Sequence, residues 1–145
     1  MSETTRTQAR DEGRTHVTEI AVRWGDMDAF NHVNNTLFLR YVEEARIRFF
    51  ASLGDGWLTE GSGPVIVNIN CNFRREIRYP ATVRVVTTAH QASEKRLIMT
   101  HRLEDAGDPK RLYGDAEVTA LWVDSAAGRS VPLPEAVVSA LVDGD

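Results

Sequence analysis

An α+β domain, one long helix laid against an antiparallel sheet, is the fold class this sequence predicts, and three observations predict it. Residues 36–53 place apolar side chains at helical spacing. One strand-like run precedes that segment and four follow it, most of them alternating apolar with polar residues. The last four runs are joined by short, turn-rich connections, which favours meander pairing of an antiparallel sheet.

Taken in order, residues 1–14 have no apolar face and cannot bury enough surface to offset the entropy of ordering, so they read as a disordered tail. Residues 15–145 read as one domain, and no internal repeat is evident. Residues 16–24 form the first strand, with Val17, Ile20, Val22 and Trp24 as its apolar members. Residues 25–35 form a polar loop rich in Asp and Asn, which hydrogen-bond their own backbone. In the helix, Phe38, Val42, Ala45, Phe49 and Leu53 make one stripe. Arg40/Glu44 and Glu44/Arg48 can pair on the other side, Asn34 or Asn35 can cap the start, and Gly54 can end it. The glycine-rich stretch 54–64 reads as a mobile loop. The remaining strands are expected at 65–73, 82–90, 96–104 and 111–123, with Val65, Val67, Ile69, Cys71 and Phe73 on one face of the first. Pro134 suits the first turn of a short closing helix running to about Leu141.

Composition excludes several function classes. The 145 residues carry a net charge of −4, against the basic face that nucleic-acid binding needs. No apolar run approaches the roughly 18 residues of a membrane span, and the polar N-terminus has no signal-peptide core. The lone Cys71 cannot form an internal disulfide, so a reducing, cytoplasmic setting is expected. Cys71 also lies mid-strand on an apolar face, where a thiol behaves as a small hydrophobe rather than a nucleophile. His16, His32, His90 and His101 are scattered without ligand spacing, so no metal site is expected.

The densest polar cluster is the loop from Asp26 to Asn35, immediately before the helix. Free N–H groups and the helix dipole favour negative charge there. Capping and turn formation account for Asp and Asn at such a place, but a histidine and three asparagines exceed what capping requires. His32 suits a hydrogen-bonding structural role. Arg74, Arg75 and Arg78 form a basic run at a strand end, read either as a solvated terminus or as a phosphate clamp.

The run Val22-Arg23-Trp24-Gly25-Asp26-Met27-Asp28, then His32-Val33-Asn34-Asn35, then Tyr41, Glu43, Glu44, Ala45 and Arg46 resembles the 4-hydroxybenzoyl-CoA thioesterase-like family. Tyr79-Pro80 and Pro132-Leu133-Pro134 are similar too. The likeness spans about residues 16–141, and residues 22–46 carry nearly all its specificity. It implies the hotdog fold, a long central helix wrapped by a five-stranded antiparallel sheet, and hydrolysis of acyl-CoA thioesters with no metal or organic cofactor. It implies Asp28, second of the D-x-D pair, as nucleophile or general base, with Asp26 supporting the turn. It places the carbonyl-polarising backbone N–H at Asn35, with His32 beside them. It implies a homodimer or dimer of dimers pairing through the edge strand 65–73. On this reading Arg74, Arg75 and Arg78, singled out by their clustering, meet the CoA phosphates, and the glycine-rich loop is either an ordinary connector or a cover for the acyl chain with Trp57 as its apolar contact. One departure is Asn31, where the family often has Gly; asparagine tolerates the left-handed conformation best among the alternatives. A dehydratase is the weaker reading, because the acidic residue precedes the helix. A non-catalytic acyl-CoA sensor is the main alternative, although no basic DNA-binding segment accompanies the domain.

Overall fold

The structure, a computed structural model, describes residues 13–54, 57 and 61–143. β1 (Arg14–Ala21) runs through a single 3-10 turn (Trp24–Asp26) and a loop into the central helix α1 (Asn35–Ala51). β2 (Ser62–Phe73), β3 (Thr82–Gln91), β4 (Arg96–Asp105) and β5 (Asp108–Asp124) follow, then a two-residue β6 (Arg129–Ser130) and the closing helix α2 (Glu135–Asp143). All pairings are antiparallel, in the order β1-β3-β4-β5-β2, with β6 appended to β5. This is the expected α+β hotdog architecture: five long strands around one buried helix.

The apolar stripe of α1 does what its spacing requires. Phe38, Val42, Ala45 and Phe49 are all buried, joined by Tyr41 and Phe50. They pack on the helix-facing side chains of the sheet, among them Val83, Val85, Leu97, Met99, Leu103, Val118 and Trp122. Asn34 is the N-cap, its Oδ1 accepting the Thr36 N–H at 2.9 Å. The helix ends at Ala51, two residues early, because Ser52 caps it with Oγ donating to the Phe49 carbonyl at 2.6 Å. Glu44 takes Arg48 at 2.8 Å, so Arg40 turns to Glu43 at 3.5 Å rather than to Glu44.

Several expectations are corrected. The four later strands are not a simple meander: β2 pairs with β5, not β3, and closes the far edge. The link between β2 and β3 is no tight turn; it crosses the sheet end with Ile77 fully buried. The glycine-rich loop does not reach residue 64, since Ser62, Gly63 and Pro64 already pair with Asp124, Val123 and Trp122. Proline is tolerated there because β2 is an edge strand; residues 55, 56 and 58–60 of that loop lie outside the described residues. Lastly, β2 does not keep one apolar face. Its register shifts between Ile66 and Asn68, and an inserted residue reverses the alternation. Ile66 therefore faces α1 before the bulge, and Ile69, Cys71 and Phe73 face it afterwards, opposite Val118, Ala116 and Gly114. Val65 is left on the outer face. The tail reading falls on residues 1–12, outside the described residues, and on Gly13 and Arg14, of which Arg14 opens β1.

Candidate active site

The loop before α1 is a small hairpin built from its own polar residues. Met27 and Val33 form an isolated bridge, and the Asp28 N–H donates to the His32 carbonyl at 3.0 Å. Across the tip, the Asn31 N–H donates to the Asp28 carbonyl at 3.0 Å, and Asn31 has φ +65°. A turn followed by one left-handed residue is a standard way to close a short hairpin, and Asn is suited to that position. The Asn31 departure therefore leaves the turn intact.

The two aspartates of the loop have different fates. Asp26 is buried. Its Oδ2 accepts the Tyr41 hydroxyl at 2.8 Å and the Arg23 N–H at 3.1 Å, and the Arg23 guanidinium lies 3.4 Å from Oδ1. Burial first, and then this hydrogen bond, push the Tyr41 phenol well above its usual range. Asp26 thus fastens the loop to α1. Asp26→Asn should cost about 1–3 kcal/mol of stability, because a charge-assisted buried network loses its charge. Thermal denaturation would measure this, and the folded fraction should keep most of its turnover.

Asp28 is only half-buried. Its Oδ1 accepts the Phe30 N–H at 2.9 Å, a side-chain-to-backbone turn that orients the carboxylate. Oδ2 has no hydrogen-bond partner among the described residues. The first turn of α1 lies just beyond. Its Thr36 N–H is taken by the cap and its Leu37 N–H donates to the Asn34 carbonyl at 2.9 Å. The Asn35 N–H has no acceptor among the described residues. An unengaged N–H at a helix N-terminus is suited to hold developing negative charge.

Asn35 is one wall of a cavity of about 220 Å³ whose other walls are His32, Val33, Phe38, Phe73, Arg74, Arg75 and Glu76; Asp28 is not among them. His32 Nε2 lies 3.3 Å from Glu76 Oε2, and the Val33 N–H donates to the Ile77 carbonyl at 2.8 Å, so the segment after β2 braces the loop. Nothing in the sequence singles out Glu76, since only the fold brings it to His32.

The basic run is divided. Arg74 is spent on Asp115, and Arg78 lies 3.2 Å from Glu76. Arg75 makes no side-chain hydrogen bond or ion pair among the described residues. Trp57 is not brought to this cavity: it stacks on Phe50 at 5.0 Å. That contact is near the other end of α1, about 22 Å from Asn35 at 1.5 Å per residue. His101 is a core residue, its Nδ1 2.9 Å from Thr87 Oγ1. Burial, aided by the Arg46 charge, lowers its pKa to about 4 and keeps it neutral. Burial also raises the Cys71 thiol, which makes it a poor nucleophile. Among the described residues no three His, Cys, Asp or Glu side chains gather as a metal site.

The loop thus offers a half-buried carboxylate at Asp28 and the helix it leads into an unengaged amide at Asn35, and residues 22–141 match the thioesterase-like superfamily. The chain belongs to that superfamily. It is 29% identical over 120 residues to the long-chain acyl-CoA thioesterase FadM of Escherichia coli, covering 80% of this chain and 89% of FadM. Among solved structures, a candidate thioesterase from Pseudomonas aeruginosa is 38% identical with a TM-score of 0.80, covering 86% of this chain and 96% of its own. A candidate acyl-CoA thioesterase from Xanthomonas campestris is 30% identical with a TM-score of 0.72, over 81% and 97% of the two chains. As a member of the superfamily, the protein is a thioester hydrolase, and its loop and first helical turn are where that chemistry is sought.

Proposed function

We propose that the protein hydrolyses acyl-CoA thioesters, with Asp28 as the catalytic carboxylate and the Asn35 N–H as the oxyanion donor. What supports this reading is that the loop and the helix it leads into hold, among the described residues, one Asp28 oxygen without a hydrogen-bond partner and one Asn35 amide without an acceptor. The Asn35 N–H polarises the thioester carbonyl and receives the charge that develops on its oxygen. Asp28 either takes a proton from the attacking water or adds to the carbonyl carbon itself. In both routes the C–S bond breaks and the thiolate leaves and is protonated; in the first, water is the nucleophile and supplies the second oxygen of the acid, and in the second, an acyl-aspartyl anhydride forms and water then hydrolyses it to the acid and free Asp28. His32 holds the loop through its carbonyl and its contact with Glu76.

The assay is thiol release by purified protein on a panel of acyl-CoAs of different chain length, with aryl thioesters included. Tight binding without turnover across the panel would instead make the protein an acyl-CoA sensor.

The site is proposed to be completed by a second copy. β2 is a sheet edge of 12 residues. Val65, Val67, Ile69 and Phe73 on it are 44–47% exposed, an apolar edge that would invite uncontrolled pairing if left open. Phe73 is also a wall of the cavity at Asn35. A two-fold partner pairing along β2 closes the edge and brings a second chain to the cavity mouth. Light scattering at micromolar concentration should give twice or four times the chain mass. A monomer that retains full turnover would refute the shared site.

A further inference from the structure

Beside Asp28 stands a pair of side chains to which the proposed reaction gives only a holding role. His32 Nε2 lies 3.3 Å from Glu76 Oε2, and Arg78 donates to the other Glu76 oxygen at 3.2 Å. Both His32 and Glu76 are walls of the cavity that includes Asn35, and Glu76 is the one carboxylate among those walls. A carboxylate at Nε2 keeps the ring proton there and leaves Nδ1 with its lone pair. Nδ1 has no hydrogen-bond partner among the described residues.

The hairpin sets this ring next to the aspartate. Met27 pairs with Val33, and the Asp28 N–H donates to the His32 carbonyl, so Asp28 and His32 stand opposite each other on its two arms. Opposed residues of an antiparallel pair present their side chains on one face, with Cβ atoms about 5 Å apart. Val33 takes the other face and is buried. Phe30, at the tip, stacks on the His32 ring at 6.4 Å. As a tie for the loop, the His32–Glu76 pair is weak, since its side chains are 32% and 47% exposed. The loop is already fastened here by the backbone: the Val33 N–H donates to the carbonyl of Ile77, which is fully buried. That bond needs neither the ring nor the carboxylate.

We infer that His32 is the general base of the water step, that Glu76 is the positioning residue that holds its ring, and that Asp28 is the nucleophile. The inference rests on the thioesterase reading and chooses between its two routes. Asp28 adds to the thioester carbonyl, the C–S bond breaks, and the thiolate leaves with the electron pair and takes a proton from solvent. As water adds to the acyl carbonyl of the resulting anhydride, one of its protons passes to His32 Nδ1. The bond from the acyl carbon to the Asp28 oxygen breaks, and Asp28 leaves as the carboxylate. The imidazolium, steadied by the Glu76 charge, returns its proton to solvent. That proton replaces the one the thiolate took.

Rapid-quench kinetics on an acyl-CoA that the wild-type protein hydrolyses, with mass spectrometry of the quenched chain, is the test. Gln at position 76 keeps an acceptor for the ring N–H but not the charge, so Glu76→Gln should slow steady turnover about tenfold, and His32→Gln about a hundredfold. The double variant should match His32→Gln alone, because Glu76 acts through the ring. In His32→Gln one equivalent of thiol per site should still be released at close to the wild-type rate, with the acyl group retained on Asp28. Hydroxylamine, which needs no base to attack an anhydride, should restore turnover. A role confined to holding the loop would slow the first release and steady turnover together and leave no acyl-enzyme, and that result would overturn the inference, as would wild-type turnover in Glu76→Gln. The thioesterase reading survives either result; it falls only if wild-type protein releases no thiol from any acyl-CoA.

Discussion

Asp28→Asn is expected to lower kcat for thioester hydrolysis by about 10²–10⁴-fold, the range for loss of a general acid–base group. That corresponds to about 3–5 kcal/mol of barrier. The substitution is a clean probe because of how Asp28 is held. Oδ1 accepts the Phe30 N–H, and the side-chain oxygen of asparagine can keep that bond, so the loop retains its shape. What is lost is the charge and the basicity of the free oxygen. KM should move much less than kcat, since the lost interaction belongs to the transition state. Asp28→Ala, which also removes the turn bond, should lose stability as well as turnover. Steady-state kinetics on folded Asp28→Asn protein decide the matter: turnover near the wild-type rate would remove Asp28 from the chemistry. Asp26→Asn is the matched control, with the same chemical change two residues away on a carboxylate already committed to Tyr41 and Arg23.

The contrast between these aspartates shows what a linear reading can reach. Their spacing and their place before a helix were legible, and so was the tolerance of Asn31 for a left-handed turn. Which of the two is buried depends on Tyr41, fifteen residues on, and on how α1 lies against the sheet. The stripe of α1 was legible because helical period is a local property. The face of β2 was not, because the bulge after Ile66 arises only in pairing with β5. The strand order was hidden for the same reason: β2 reaches its partner across a link whose Ile77 is read as a core residue only once the sheet exists. Glu76 at His32 is a juxtaposition of distant segments. Residue type alone singled out the arginines after β2 without revealing that Arg74 is spent on Asp115.

Phe38→Ala is expected to be the most costly core substitution near the site, at about 3–5 kcal/mol for a buried phenylalanine. Phe38 is almost fully buried in the first turn of α1 and meets Phe73 edge-to-face at 5.1 Å. It also lies over Gly114, where an added Cβ would stand 3.3 Å from the Phe38 ring and 2.5 Å from the Asn72 carbonyl oxygen. Phe38 is therefore the wedge that seats the Asn35 amide over the β2–β5 pair. Its loss should lower the melting temperature by on the order of 10 °C and reduce kcat in the surviving folded protein, since the amide loses its footing. Gly114→Ala attacks the same contact from below, and overpacking should cost about 1–3 kcal/mol. The two are close enough to couple, so their effects should not add. Truncating Phe38 relieves only the ring contact, whereas the approach to the Asn72 carbonyl is backbone and remains. Gly114→Ala should thus stay destabilising in the Phe38→Ala background, though by less than alone. Chemical denaturation of the two single variants and the double variant measures that coupling, and full additivity would show that Phe38 does not bear on Gly114 as described.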